Sequence, residues 1–135
     1  MQHDVAQRLA EIDIFRGLSP KQLKKLAGQV REVHLDDGHQ VATEGHGALG
    51  FHLILDGQAT VSSGGVERRT LGPGDYFGEI SLIDGKPRSA SIVAKGPLHT
   101  AVIDNSTFQP LIDEPQFARR LLLVLCERLR ALEKK

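Results

Sequence analysis

Tryptophan is missing from these 135 residues, and Tyr76, Met1 and Cys126 are the sole members of their types. A single cysteine cannot close an internal disulfide, and it rules out a cysteine-based zinc cluster. No charge of one sign is in excess. Seventeen basic residues face seventeen acidic ones, which argues against a chain-wide electrostatic footprint for nucleic acid or acidic membranes. The longest apolar run, Leu121 to Cys126, is six residues, far below the roughly 20 that a membrane span needs. Met1-Gln2-His3-Asp4 lacks the basic stretch and apolar core of a secretory signal. What remains is an ordinary soluble composition, 40% apolar and 25% charged, of a size that suits one domain. A cytoplasmic protein is the expectation.

Glycine is plentiful and unevenly spread: the stretch from Gly38 to Gly96 holds twelve of fourteen. That stretch reads as short strands separated by turns, and the two ends read as helices. Val5, Leu9 and Ile12 fall at helical spacing. Ser19-Pro20-Lys21-Gln22 is a helix start, with a Ser cap, Pro at the first helical position and Gln three residues after the cap. Strands are expected around Val33 to Leu35, Gln40 to Thr43, Phe51 to Leu55, Ala59 to Ser62, Glu67 to Leu71, Ser91 to Val93 and His99 to Ile103. Gly64-Gly65 is a hairpin signal. Helical patterns resume around Phe108 to Ile112 and from Gln116 to Lys134. Together these predict a mainly β fold with flanking helices, an antiparallel β-roll of the jelly-roll type. One domain is expected over 1–135: N-terminal helices in 1–30, the roll in 31–104 and C-terminal helices in 105–135.

One segment interrupts the strands, Phe77-Gly78-Glu79-Ile80-Ser81-Leu82-Ile83-Asp84-Gly85-Lys86-Pro87-Arg88-Ser89-Ala90-Ser91. Gly78 lets backbone approach a ligand, and the N–H groups of Ile80 and Ser81, opening a short helical turn, can point at an anion. Ser89 and Ala90 keep the opposite wall small. Arg88 offers a planar cation suited to phosphate oxygens. Glu79 would repel a phosphate, so its sensible task is to accept hydrogen bonds from hydroxyls on the same ligand. A phosphate and a hydroxyl at fixed separation describe a ribose cyclic phosphate.

These residues closely resemble the phosphate-binding cassette of cyclic nucleotide-binding domains, whose pattern is Phe-Gly-Glu, about six apolar or small residues, then Pro-Arg-Ser/Thr/Ala-Ala. Asp13-Ile14-Phe15-Arg16-Gly17-Leu18-Ser19 is similar to the helical start of those domains. Glu44-Gly45 with Phe51 to Gly57 resembles their central strand and turn, and Leu71-Gly72-Pro73-Gly74-Asp75-Tyr76-Phe77 their approach to the cassette. The resemblance implies that Gly78 and Ala90 offer backbone N–H groups, Glu79 holds the ribose 2′-OH and Arg88 pairs with the phosphate. It gives Ser89 N–H and hydroxyl contacts and lays Val61 against the base. The implied ligand is cAMP, with cGMP as the alternative. Members that favour cGMP often carry Thr directly after the cassette Arg, where this chain has Ser89.

The last helix shows two apolar stripes. Phe117, Leu121, Val124 and Arg128 form one, expected to cover the barrel mouth as a lid and, by the resemblance, to bring Arg128 onto the purine. Ala118, Leu122, Leu125, Leu129 and Leu132 form a heptad seam for a homodimer or a separate effector. The alternatives are a helix wholly buried in its own domain and an Arg128 that merely complements the helix dipole. Cys126 lies in the apolar run and is expected to be an inert core thiol. A cofactor is not expected, nor is catalysis, since no residue is placed for chemistry on the ligand. Two other readings stand beside this one. A roll could retain the cassette without binding, and a cupin-type metalloenzyme could use His34, His39, His46, His52 and His99, although no His-x-His pair occurs. The sequence stops soon after the last helix, where relatives couple to an output module. Output is therefore expected from dimer rearrangement, a separate partner or a further region.

Overall fold

The computed structural model describes residues 4–42, 50–78, 83 and 90–133. Two short helices come first: α1 (Val5–Ala10), capped by the Asp4 carboxylate, and α2 (Pro20–Ala27). A 3-10 turn at Asp13–Phe15 joins them. The capping box is formed as expected, with the Gln22 N–H donating to Ser19 Oγ and the Ser19 N–H donating to Gln22 Oε1. These reciprocal bonds satisfy donors that a helix start otherwise leaves open. The single helix anticipated from Val5 to Ile14 breaks after Ala10, and the chain resumes in the 3-10 turn that buries Ile14 and Phe15.

Among the described residues six strands follow: β1 (Arg31–Leu35), β2 (Gln40–Ala42), β3 (Phe51–Ser63), β4 (Val66–Leu71), β5 (Tyr76–Phe77) and β6 (Ser91–Ile103). All pairings are antiparallel. β3 and β6 form the central pair. β1 and β2 both lie along β6, while β4 and β5 both lie along β3. The fold is mainly antiparallel sheet with flanking helices, as the pattern predicted.

Two strand boundaries differ from expectation. β3 runs on through Asp56-Gly57, and β6 runs on through Gly96-Pro97, each thirteen residues long. The irregularities face one another: Asp56 pairs with His99 and Gln58 with Lys95. Extra residues on β6 are absorbed as a bulge, so pairing resumes on both sides instead of ending in turns.

Alternation along the central pair builds two cores. Phe51, Leu53, Leu55, Ala101 and Ile103 face one way and pack with Leu9, Ile12, Ile14, Phe15, Leu18 and Leu26 from the N-terminal segment. Helices α3 (Asn105–Ile112) and α4 (Pro115–Glu133) add Phe108, Phe117, Leu121 and Val124 to this layer. Ile54, Ala59, Val61, Leu71, Phe77, Ile92, Ala94 and Leu98 make the second cluster, the interior of the roll. The Arg8 guanidinium, donating to Leu55 O at 3.0 Å, pins α1 to β3.

The apolar stripe of α4 is buried, but against the helical layer and not over the roll interior. There Phe117 joins Phe15, Phe51 and Phe108, with ring pairs 5.5–5.9 Å apart. Of the seam, Leu122, Leu129 and Leu132 face solvent, 63%, 61% and 63% exposed, while Ala118 and Leu125 are half-buried and Leu125 packs against the first core. Cys126 corrects an expectation, for it is exposed. Leu121 and Val124 of that apolar run are buried and Leu125 packs beside them half-buried, whereas Cys126, two residues past Val124, points about 200° around the helix from it.

Candidate ligand site on the roll

The approach to the cassette is fixed by a turn. The Gly72 N–H donates to Asp75 Oδ2 at 2.8 Å, and the Ile54 N–H donates to Asp75 O at 2.9 Å. That turn delivers Tyr76 and Phe77 alongside Leu53 and His52 of β3. Phe77 is buried in the roll interior and stacks on the His52 ring, centroids 4.8 Å apart. His52 Nδ1 lies 3.3 Å from Thr100 Oγ1, which steadies that platform from β6.

Gly78 follows with φ at 98°, a backbone conformation that side-chain-bearing residues rarely adopt. The glycine is therefore required by the turn of the chain at this point. At the far end of the segment Ala90 is half-buried and packs against the same cluster as Phe77 and Val61. Val61 itself is 7% exposed, on the inner face of β3. Two of the site residues anticipated from sequence, Ala90 and Val61, thus border the roll interior, and Gly78 directly follows Phe77, which is buried in it. Glu79, Ile80, Ser81, Arg88 and Ser89 lie outside the described residues; of the helical turn expected to open at Ile80, only Ile83 is described, half-buried against the first core.

Arg128 is placed differently. Its guanidinium carbon sits 5.1 Å from the Tyr76 ring centroid, and its Nη2 donates to the Tyr76 hydroxyl. That hydroxyl donates in turn to Asp13 Oδ1 at 2.7 Å. Beside this chain of contacts opens a cleft of about 460 Å³, bordered by Arg16, Arg69, Leu71, Asp75, Tyr76 and Arg128 among others. Arg69 is the cross-strand partner of Val61, so the cleft adjoins the strand pair expected to meet the base. Asp13 and Tyr76 went unassigned from sequence. Both stand in the segments that carry the family resemblance, yet nothing in their spacing tells that one receives the other's proton.

The histidines do not assemble a metal centre where they can be seen. His34 and His99 stack face to face at 4.0 Å, and His99 Nε2 lies 2.9 Å from Glu32 Oε1. Among the described residues no group of three or more His, Cys, Asp or Glu side chains is placed to hold a metal ion. His39 is exposed, and His46 lies outside the described residues. Among the described residues, no helix is long and apolar enough to cross a membrane.

The roll, its flanking helices and the packing of Phe77 and Ala90, the two ends of the cassette, in one interior cluster define the class, a mainly antiparallel β-roll with flanking helices. Residues 32–114 match the family model described as cyclic nucleotide-binding domain, and the chain belongs to that family. It is 30% identical over 128 residues to a CRP-like cAMP-activated global transcriptional regulator of Mycobacterium tuberculosis (strain CDC 1551 / Oshkosh). That match covers 90% of this chain and 57% of the relative. The regulatory domain of Toxoplasma gondii PKA, solved with cAMP, superposes with a TM-score of 0.78 at 26% identity, over 92% of this chain and 49% of that one. The PKAR CBD2 structure with Sp-2Cl-cAMPS bound gives a TM-score of 0.76 at 25% identity, over 96% of this chain and 84% of that one. The chain spans a little over half the length of the curated relative and about half of the Toxoplasma chain.

Proposed function

We propose that residues 1–135 form one regulatory domain that binds cAMP in the roll and passes the binding event to α4. The observation that carries this reading is the convergence of Phe77 and Ala90, the two ends of the cassette, on the interior that Val61 also lines. The relatives solved with cAMP or Sp-2Cl-cAMPS support the choice of ligand. In this reading Arg88 neutralises the cyclic phosphate. Backbone N–H groups of Gly78, Ile80, Ser81, Ser89 and Ala90 add donors, and Glu79 accepts from the ribose hydroxyl. No bond is made or broken, so the domain acts by recognition and has no catalytic residue. The exposed seam at Leu122, Leu129 and Leu132 is the surface through which α4 would meet a second copy or an effector protein. A cytoplasmic location fits a receptor for an intracellular nucleotide.

Titration calorimetry with cAMP, cGMP and 2′-deoxy-cAMP tests this. Saturable binding of cAMP, weakened by loss of the 2′-hydroxyl, is expected. Glu79→Ala should abolish that discrimination at a cost of about 1.5–3 kcal/mol, the range for a hydrogen bond to a charged group. Silent titrations with every cyclic nucleotide would instead support a roll that keeps the cassette without the ligand.

A further inference from the structure

Three elements meet at the Tyr76 phenol. The 3-10 turn contributes Asp13, β5 contributes Tyr76 itself, and α4 contributes Arg128. The carboxylate is held in position, since Asp13 Oδ1 also accepts from the Ile14 N–H at 2.7 Å. A second tie runs from the same helix, with Arg120 Nε donating to Asp13 O at 3.0 Å. The Tyr76 ring is seated on Phe51, centroids 5.2 Å apart, which aims the hydroxyl at Asp13. Both partners of the phenol are charged and oriented, and such hydrogen bonds are the strong ones.

We propose that Asp13, Tyr76 and Arg128 form a latch that holds α4 against the N-terminal segment in the ligand-free chain, and that ligand competes with Tyr76 for Arg128. The competition rests on the functional reading above; the latch does not. Arg128 presents one guanidinium, and its cationic face and an N–H are already committed to Tyr76. A purine at the mouth of the roll needs that same face. The cleft bordered by Arg69, Leu71, Tyr76 and Arg128 opens beside this contact, and Tyr76 immediately precedes Phe77, which is buried in the roll interior. The ligand can shift α4 only by the difference between what Arg128 gains on the base and what it loses at Tyr76.

Tyr76 is the sole tyrosine in a chain without tryptophan, so tyrosine emission reports this phenol alone. A phenol donating to a carboxylate emits weakly. In the ligand-free protein, Asp13→Asn should raise the emission, and Arg128→Ala should alter it while speeding amide exchange across Leu121 to Leu132. Emission and exchange unchanged in both variants would overturn the latch. With ligand, cAMP should move wild-type emission towards that of Arg128→Ala. Tyr76→Phe keeps the ring on Phe51 and loses only the hydroxyl, so the fold is preserved. That variant should bind cAMP roughly ten- to a hundredfold more tightly, because the hydrogen bond to a charged group no longer has to be broken. Equal or weaker binding by Tyr76→Phe would overturn the competition, since a merely structural role for Tyr76 predicts no gain. Absence of cAMP binding to the wild type would overturn the competition together with the functional reading, leaving the latch to the ligand-free measurements.

Discussion

A Cβ placed on Gly57 would stand 2.3 Å from the carbonyl oxygen of Pro97, across the central strand pair. Gly57 has φ at 92°, so both the backbone conformation and the space exclude a side chain. This contact is where the bulges of β3 and β6 meet. It lets the two long strands bend together without parting. Gly57→Ala should destabilise the fold by about 2–5 kcal/mol, combining the left-handed strain with overpacking against backbone. The denaturant midpoint measures it. A midpoint within error of wild type would mean that the strands do not approach this closely.

A second prediction concerns acid. Asp104 caps α3, and its carboxyl is held below the ordinary carboxylate value of 3.8. The Ser106 hydroxyl donating at 2.8 Å is the main cause, followed by the Thr107 N–H and hydroxyl, with the Arg31 charge adding a little. A folded value below the unfolded one means the cap stabilises fully above about pH 4 and fades as pH falls through the lowered folded value. Asp104→Asn keeps an acceptor at the cap but cannot titrate. Protection of the Thr107 and Phe108 amides, measured against the intrinsic exchange rate at each pH, should therefore fall below pH 4 in the wild type and hold in the variant. Parallel profiles would contradict the role of the charge.

Much of this architecture was legible in residue order, and the parts that were not have identifiable causes. Ser19 to Gln22 announced a helix start because a capping box is local: both partners lie three residues apart and the bonds formed as read. Asp56-Gly57 and Gly96-Pro97 looked like strand ends because turn chemistry is also local. Only the pairing of Asp56 with His99 and Gln58 with Lys95 reveals that each break is matched by another. Phe117, Leu121 and Val124 were recognisable as a buried stripe, but periodicity cannot say which core receives it. Tertiary packing put it on Phe51 and Phe15. For the site, Val61 and Ala90 pack in one cluster with Phe77, and Gly78 takes a positive φ. Asp13 and Tyr76, sixty-three residues apart, are joined only by the fold.

Base preference gives another test. In relatives that favour cGMP a Thr hydroxyl often follows the cassette Arg, and Ser89 lacks the methyl that restricts the Thr rotamers. The wild-type domain should bind cAMP at least as well as cGMP, and Ser89→Thr should move the ratio towards cGMP. Competition titrations with both nucleotides read this out. A tenfold wild-type preference for cGMP would reverse the assignment.

The central claim is that this cassette binds a cyclic nucleotide through Arg88, and calorimetric titration of wild type and Arg88→Ala with cAMP tests it most directly. Removing one member of a desolvated charge pair costs about 2–5 kcal/mol, so affinity should fall roughly thirtyfold to several thousandfold while the circular dichroism spectrum is kept. A folded Arg88→Ala variant that binds cAMP as tightly as the wild type would contradict the account.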